Sequence, residues 1–135
     1  MAESLAPRAL VEHFLDLVDR GEWTSLPDLY ADNAVVEQPF SKPVPLRLLG
    51  REAIRAHFAA AARAPFRLRV IDRRVLQTAD PELVVAEYQY DGHLTTTERR
   101  FMVANVQFFR IRDGQIITTR DYHDHAALAA VLGGG

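Results

Sequence analysis

Asp121, His123 and His125 stand at alternate positions near the C-terminal end of the chain. In an extended strand such spacing puts them on one face together with Ile117 and Thr119. A carboxylate beside an imidazole is material for proton transfer. Among apolar neighbours the carboxylate's pKa rises toward neutrality, and a neutral imidazole can take or pass on the proton. Asp121 is therefore the first candidate acid/base and His123 its candidate proton partner. The competing reading is an aspartate near a strand end that is either solvated or paired to an arginine such as Arg120. Asp121, His123 and His125 could also mimic a metal triad, but metal sites add further ligands and a second layer of hydrogen bonds. No metal and no cofactor is expected.

Other polar residues occur where apolar ones would be simpler. Asn105 and Gln107 fall on the face of Phe101, Val103 and Phe109. Two buried amides without partners are costly, so a polar pocket is expected there. Tyr88 and Tyr90 continue the run Val84, Ala86, and buried hydroxyls would need partners too. His57 follows Ile54 by one helical turn and could edge into the same pocket or sit hydrogen-bonded in the core. Trp23 reads as packing, and the pairs Arg73-Arg74 and Arg99-Arg100 read as solvated edges. There is no cysteine, which removes thiolate nucleophiles, disulfides and cysteine-bound zinc. Lys42, the one lysine, sits among prolines and makes a poor Schiff-base former.

These residues need elements to hold them. Leu10, Val11, Phe14, Leu17 and Val18 recur with helical period, Pro7 suits a first turn, Ser4 is a possible cap and Gly21 is a stop. A short second helix is expected after Thr24-Ser25, presenting Leu26, Leu29 and Tyr30. Asp32-Asn33 is expected to turn into a brief strand, Ala34 to Gln38, with prolines 39, 43 and 45 breaking regularity beyond it. A third helix follows Gly50, carries Ile54, Phe58 and Ala61 on one stripe, and stops before Pro65. The period then changes to alternation, with a phase slip near Arg73-Arg74 that predicts a β-bulge and a bend. Asp91-Gly92 and Asp113-Gly114 read as hairpin turns joining Leu83–Tyr90, Thr95–Arg112 and Gln115–His123. The expected fold class is α+β: N-terminal helices packed into the hollow of a strongly curved, mostly antiparallel sheet.

The pieces Leu29–Ala34, Gly50–Arg55, Phe108–Ile116 and Arg120–Tyr122, in that order and spacing, resemble the nuclear-transport-factor-2-like superfamily. Within it the likeness is to SnoaL-like and ketosteroid-isomerase-like proteins. The resemblance implies a cone with a central pocket and the Asp121 face turned inward. Residues 1–132 would form one such domain and 133–135 a flexible tail. Pocket-lining residues would be Phe14, Gln38, His57, Tyr88, Tyr90, Asn105 and Gln107. Ketosteroid isomerases use a carboxylate base and two oxyanion donors, and the matching positions hold Gln38, Phe14 and Gln107. Limonene-epoxide hydrolases use an Asp-Arg-Asp set with a tyrosine and an asparagine. The matching positions hold Tyr88 and Tyr90, then Val36 and Gln38, and of that set Asp121 alone is kept. Neither activity is expected. SnoaL-like polyketide cyclases, which the resemblance implies work with a single aspartate on the last strand, match better.

The expected function is cofactor-free acid/base chemistry of isomerase, cyclase or hydrolase type on a small, apolar, cyclic molecule. The alternatives are a binding protein for a hydrophobic metabolite and an interaction module with a vestigial pocket. A net charge of -2 argues against nucleic-acid and anionic-membrane partners. The opening residues lack a signal peptide's apolar run, so the cytoplasm is the expected location. Met102, Ala104, Val106 and Phe108 make the second face of their strand apolar as well. A partner copy covering that outer sheet face, hence a homodimer, is expected.

Overall fold

A computed structural model describes residues 5–132. Ser4, the suggested cap, and residues 133–135, the suggested tail, lie outside the described residues. Helix α1 spans Pro7–Asp19, with Pro7 in its first turn and Leu10, Val11, Phe14, Leu15, Leu17 and Val18 buried along one side. Gly21 ends it at φ +73°, a backbone conformation that glycine adopts without a Cβ clash. The expected second helix is a 3-10 segment over Trp23–Leu29. Tyr30 is not on it. Strand β1 begins there and runs Tyr30–Gln38, so Asp32-Asn33 is not a turn but an irregularity within the strand, where its register against β6 shifts.

The proline-rich stretch contains a short strand that the sequence reading lacks, β2 at Leu46–Leu49, paired antiparallel with β1. Gly50, at φ +89°, turns the chain into α2, Arg51–Arg63. Arg51 fastens this junction. Its Nε and Nη2 donate to the Tyr30 carbonyl at 2.9 and 2.6 Å, and its Nη1 pairs with Asp32 at 2.9 Å. Two of the pieces that carry the family likeness are thus one physical clamp.

Strand β3, Phe66–Gln77, has the expected bulge: its register against β4 shifts between Ile71 and Arg74, with Asp72 at φ +54°. Arg73 is not a solvated edge residue. It donates to Asp16 at 2.8 Å, while Asp19 accepts from Arg69 and from the Val70 amide, pinning α1 to the bend. Strand β4 covers Leu83–Leu94, so Asp91-Gly92 is not a hairpin turn. The turn comes after Leu94. Gly92 lies inside the strand because the Phe101 ring crosses over it; a Cβ there would sit 2.5 Å from Phe101 Cζ and 2.8 Å from Leu68 Cδ2. Strands β5, Arg100–Arg112, and β6, Gln115–His123, meet at the expected Asp113-Gly114 turn, both residues at positive φ.

The Ala-Leu-rich tail after Asp124 forms a helix, α3, at His125–Leu132. It packs on β5, where Val131 joins Phe101 and Val103 in a small cluster. The six strands lie in the order β2-β1-β6-β5-β4-β3, with β1 parallel to β6 and the other pairs antiparallel. The main core lies between the curled sheet and α1, and includes Tyr30, Ile54, Tyr88 and Phe109.

Candidate functional site

The β5–β6 ladder sets Gln107 opposite Asp121 and Asn105 opposite His123. Each titratable group therefore faces an amide across the strands. Gln107 Nε2 donates to Asp121 Oδ1 at 2.9 Å, and Gln107 Oε1 accepts from the Tyr88 hydroxyl. With both ends engaged, Gln107 cannot turn over, and its donor end is held on the carboxylate. Among the described residues no arginine reaches Asp121, and Oδ2 takes no protein hydrogen bond. Arg120 is exposed, beyond the opposite face, over the ring of Tyr122. The paired-aspartate reading is thereby removed. Burial pushes the Asp121 pKa up to about 6; Gln107, Thr119 and Gln38 pull the other way. Of these, Gln107 alone makes a bond of full geometry, and Thr119 Oγ1 is buried without a partner.

His123 is oriented by the second pair. Asn105 Nδ2 donates to the Val103 carbonyl at 3.0 Å, which turns Asn105 Oδ1 toward His123 Nδ1 at 2.6 Å. Nδ1 must then carry the proton and donate, which leaves Nε2 as a bare acceptor, a tautomer assigned from the network. Burial lowers the His123 pKa to about 4, helped by the neighbouring His125 and His57. The ring stacks on Tyr90, centroids 6.1 Å apart. Near neutrality the pair is thus an ionised carboxylate beside a neutral imidazole.

Both groups open on a cavity of about 240 Å³. Phe14, Gln38, His57, Tyr90, Gln107, Asp121 and His123 all line it. Tyr88 and Asn105 do not. They are 1% and 2% exposed and stand behind the lining, Tyr88 holding Gln107 and Asn105 holding His123. His57 has no hydrogen-bond partner among the described residues, so it is a wall residue and not a bonded core histidine; burial lowers its pKa. Tyr90 stays protonated, its pKa pushed to about 12 mainly by burial.

Several wall residues were missed by sequence reasoning. Trp23, stacked on Phe58 with centroids 6.2 Å apart, lines the cavity. Leu128 of α3 closes another side beside His125, which the alternation puts with Asp121 and whose Nε2 is buried without a partner. The alternation that singled out Asp121 gives no signal for residues contributed by a helix beyond the sheet. Asp121, His123 and His125 do not form a ligand cluster, because the chain leaves the strand after His123; no group of three such residues able to hold a metal occurs among the described residues.

A family model described as SnoaL-like domain matches residues 11–119. The chain belongs to the SnoaL-like family. An uncharacterised PhzA/B-like protein of Pseudomonas aeruginosa is 30% identical to this SnoaL-like domain over 128 residues, covering 94% of the chain and 90% of that protein. A Bacillus subtilis structure provisionally named an isomerase superposes with a TM-score of 0.86 at 26% identity, covering 96% of this chain and 94% of that one. A provisionally named polyketide cyclase from Xanthomonas campestris shares the fold, with a TM-score of 0.78 at 22% identity over 92% of this chain and 94% of its own. The SnoaL-like domain thus has the nuclear-transport-factor-2-like cone fold.

Proposed function

We propose that this SnoaL-like domain is an acid/base enzyme for a small, largely apolar molecule of one or two rings, with Asp121 as proton carrier. The observation that carries the reading is a carboxylate that lines an apolar cavity, 6% exposed, with no arginine against it among the described residues and one oxygen fixed by Gln107. Its pKa of about 6 lets it take a proton near neutrality and return it. Oδ1 is occupied by the Gln107 amide, so the proton would travel on Oδ2. His123 Nε2 would steady a hydroxyl or enol of the bound molecule, and Tyr90, whose ring stacks on His123, would donate from beside it. Size supports the substrate class: an apolar cavity of roughly 150 Å³ holds benzene, and this one measures about 240 Å³.

Hydrogen exchange tests the reading without knowledge of the natural substrate. A base in this position should exchange the α-hydrogens of a small bicyclic ketone such as 1-indanone in deuterated water. The wild-type chain should exceed Asp121→Asn by at least about a hundredfold, the usual scale of a positioned base. Equal rates in the two proteins would remove the acid/base reading and leave ligand binding without turnover. Steroid isomerisation and limonene-epoxide hydrolysis should both stay at trace level, because Phe14, Gln38, Tyr88 and Tyr90 stand where those mechanisms need proton-transfer groups.

A further inference from the structure

We propose that the molecule this cavity binds carries a basic amino group, protonated near neutrality, and that Asp121 is its counter-ion. The inference rests on the cavity being the ligand site; an ammonium group on Oδ2 would take the place of the travelling proton, so Asp121 serves as counter-ion or as proton carrier, not as both at one moment. Among the described residues neither an arginine nor the lysine lines the cavity, whereas Asp32, Asp19, Asp16, Asp80 and Glu82 at the surface are met by arginines. Among the described residues Asp121 is the one acidic side chain this deeply buried, and it has neutral neighbours, with Gln107 in a bond of full geometry, and no cation. Buried carboxylates are ordinarily paired, and here the protein supplies no partner.

The hydrogen-bond network points the same way. On two residues that line the cavity it leaves an acceptor without a bond of full geometry, Asp121 Oδ2 and His123 Nε2, beside the possible donors of Gln38, His57 and Tyr90. His125 Nε2, on another side of the same cavity, is buried without a partner as well. An ammonium group has three donors and no acceptor, which suits such a wall. A carboxylate ligand would instead meet Asp121 with no cation to separate the charges. The remaining walls favour a cation too, since the stacked Trp23 and Phe58 and the rings of Phe14 and Tyr90 present aromatic surface.

Trp23 is the one tryptophan and lies on the cavity wall, so its fluorescence reports occupancy directly. Benzylamine, benzyl alcohol and benzoate share a ring and differ in charge. Near neutrality the wild-type protein should bind benzylamine at least about tenfold more tightly than benzyl alcohol, and benzoate more weakly than either. Asp121→Asn should bring amine and alcohol to near-equal affinity. Because that variant could misfold, the same comparison is made on wild type below the Asp121 midpoint of about 6, where the preference should also disappear. Benzoate or benzyl alcohol binding as tightly as the amine overturns the proposal and leaves the cavity a ligand site. So does an amine preference that survives both Asp121→Asn and acid. No response of Trp23 to any of the three overturns the amine proposal and the ligand-site reading together.

Discussion

Asp121 and His123 occupy one wall of one cavity, yet burial moves their pKa values in opposite directions, to about 6 and about 4. Each consequence for stability has a definite sign. Asp121 has a folded pKa above its unfolded value of about 3.9, so the folded state binds more protons in that window. Stability from this group is therefore full below about 4 and is lost as pH rises through about 6, by roughly 3 kcal/mol in all. His123 has a folded pKa below its unfolded value of about 6.5, so its contribution grows with pH and is lost as pH falls through about 4. Across the middle of this range the two slopes oppose each other. Asp121→Asn should remove the first and expose the second. Urea unfolding should show the variant's advantage over wild type growing from about pH 4 to about pH 6 and then levelling. A variant less stable than wild type at neutral pH would mean that the carboxylate is structural. The Asn105 bond has its own test. Asn105→Asp sets a carboxylate against Nδ1, and the His123 titration followed by proton NMR should rise from about 4 past its ordinary value. A midpoint that stays put would contradict the assigned tautomer.

At the scale of elements, the sequence and the structure agree where side chains repeat with a clear period and part where a single distant contact decides. Helices α1 and α2 were legible from apolar stripes, and the β3 bulge from a slip in alternation. Asp91-Gly92 looked like a turn because local chemistry favours one; the Phe101 ring lying over Gly92 is a cross-strand fact with no local signal. Gly92→Ala should accordingly cost about 1–3 kcal/mol, read from the urea midpoint, through overpacking against Phe101 and Leu68. A neutral substitution would show that strand and ring can part at little cost. Strand β2 is four residues long among prolines, and α3 is too uniformly apolar to show a stripe. Neither carries a period to read. In the site, alternation put Tyr88 and Asn105 on the correct face, but membership of a face does not give depth. Tyr88 and Asn105 lie behind the wall because Gln107 and His123 reach past them.

At the scale of the molecule, the outer side of the sheet leaves Met102 46% and Phe108 36% exposed, with Phe40 packed edge-on against Tyr122 beside them. We propose that a second copy covers this face. Light scattering should give a dimer mass at micromolar concentration, and Phe108→Arg should give a monomer, because a buried arginine without a partner opposes the contact. A monomeric wild-type mass would contradict the proposal. No helix among the described residues is long and apolar enough to cross a membrane. The helices and the curled sheet together keep one carboxylate in an apolar hollow without a cation, and the acid/base reading depends on that isolation. The most direct measurement is the carbon-13 NMR titration of the Asp121 carboxyl in the whole folded protein, assigned by the loss of its resonance in Asp121→Asn. A midpoint near 6 is the expected result. A midpoint at or below the ordinary aspartate value of about 3.9 would mean that the carboxylate is solvated or paired, and would contradict its role as proton carrier.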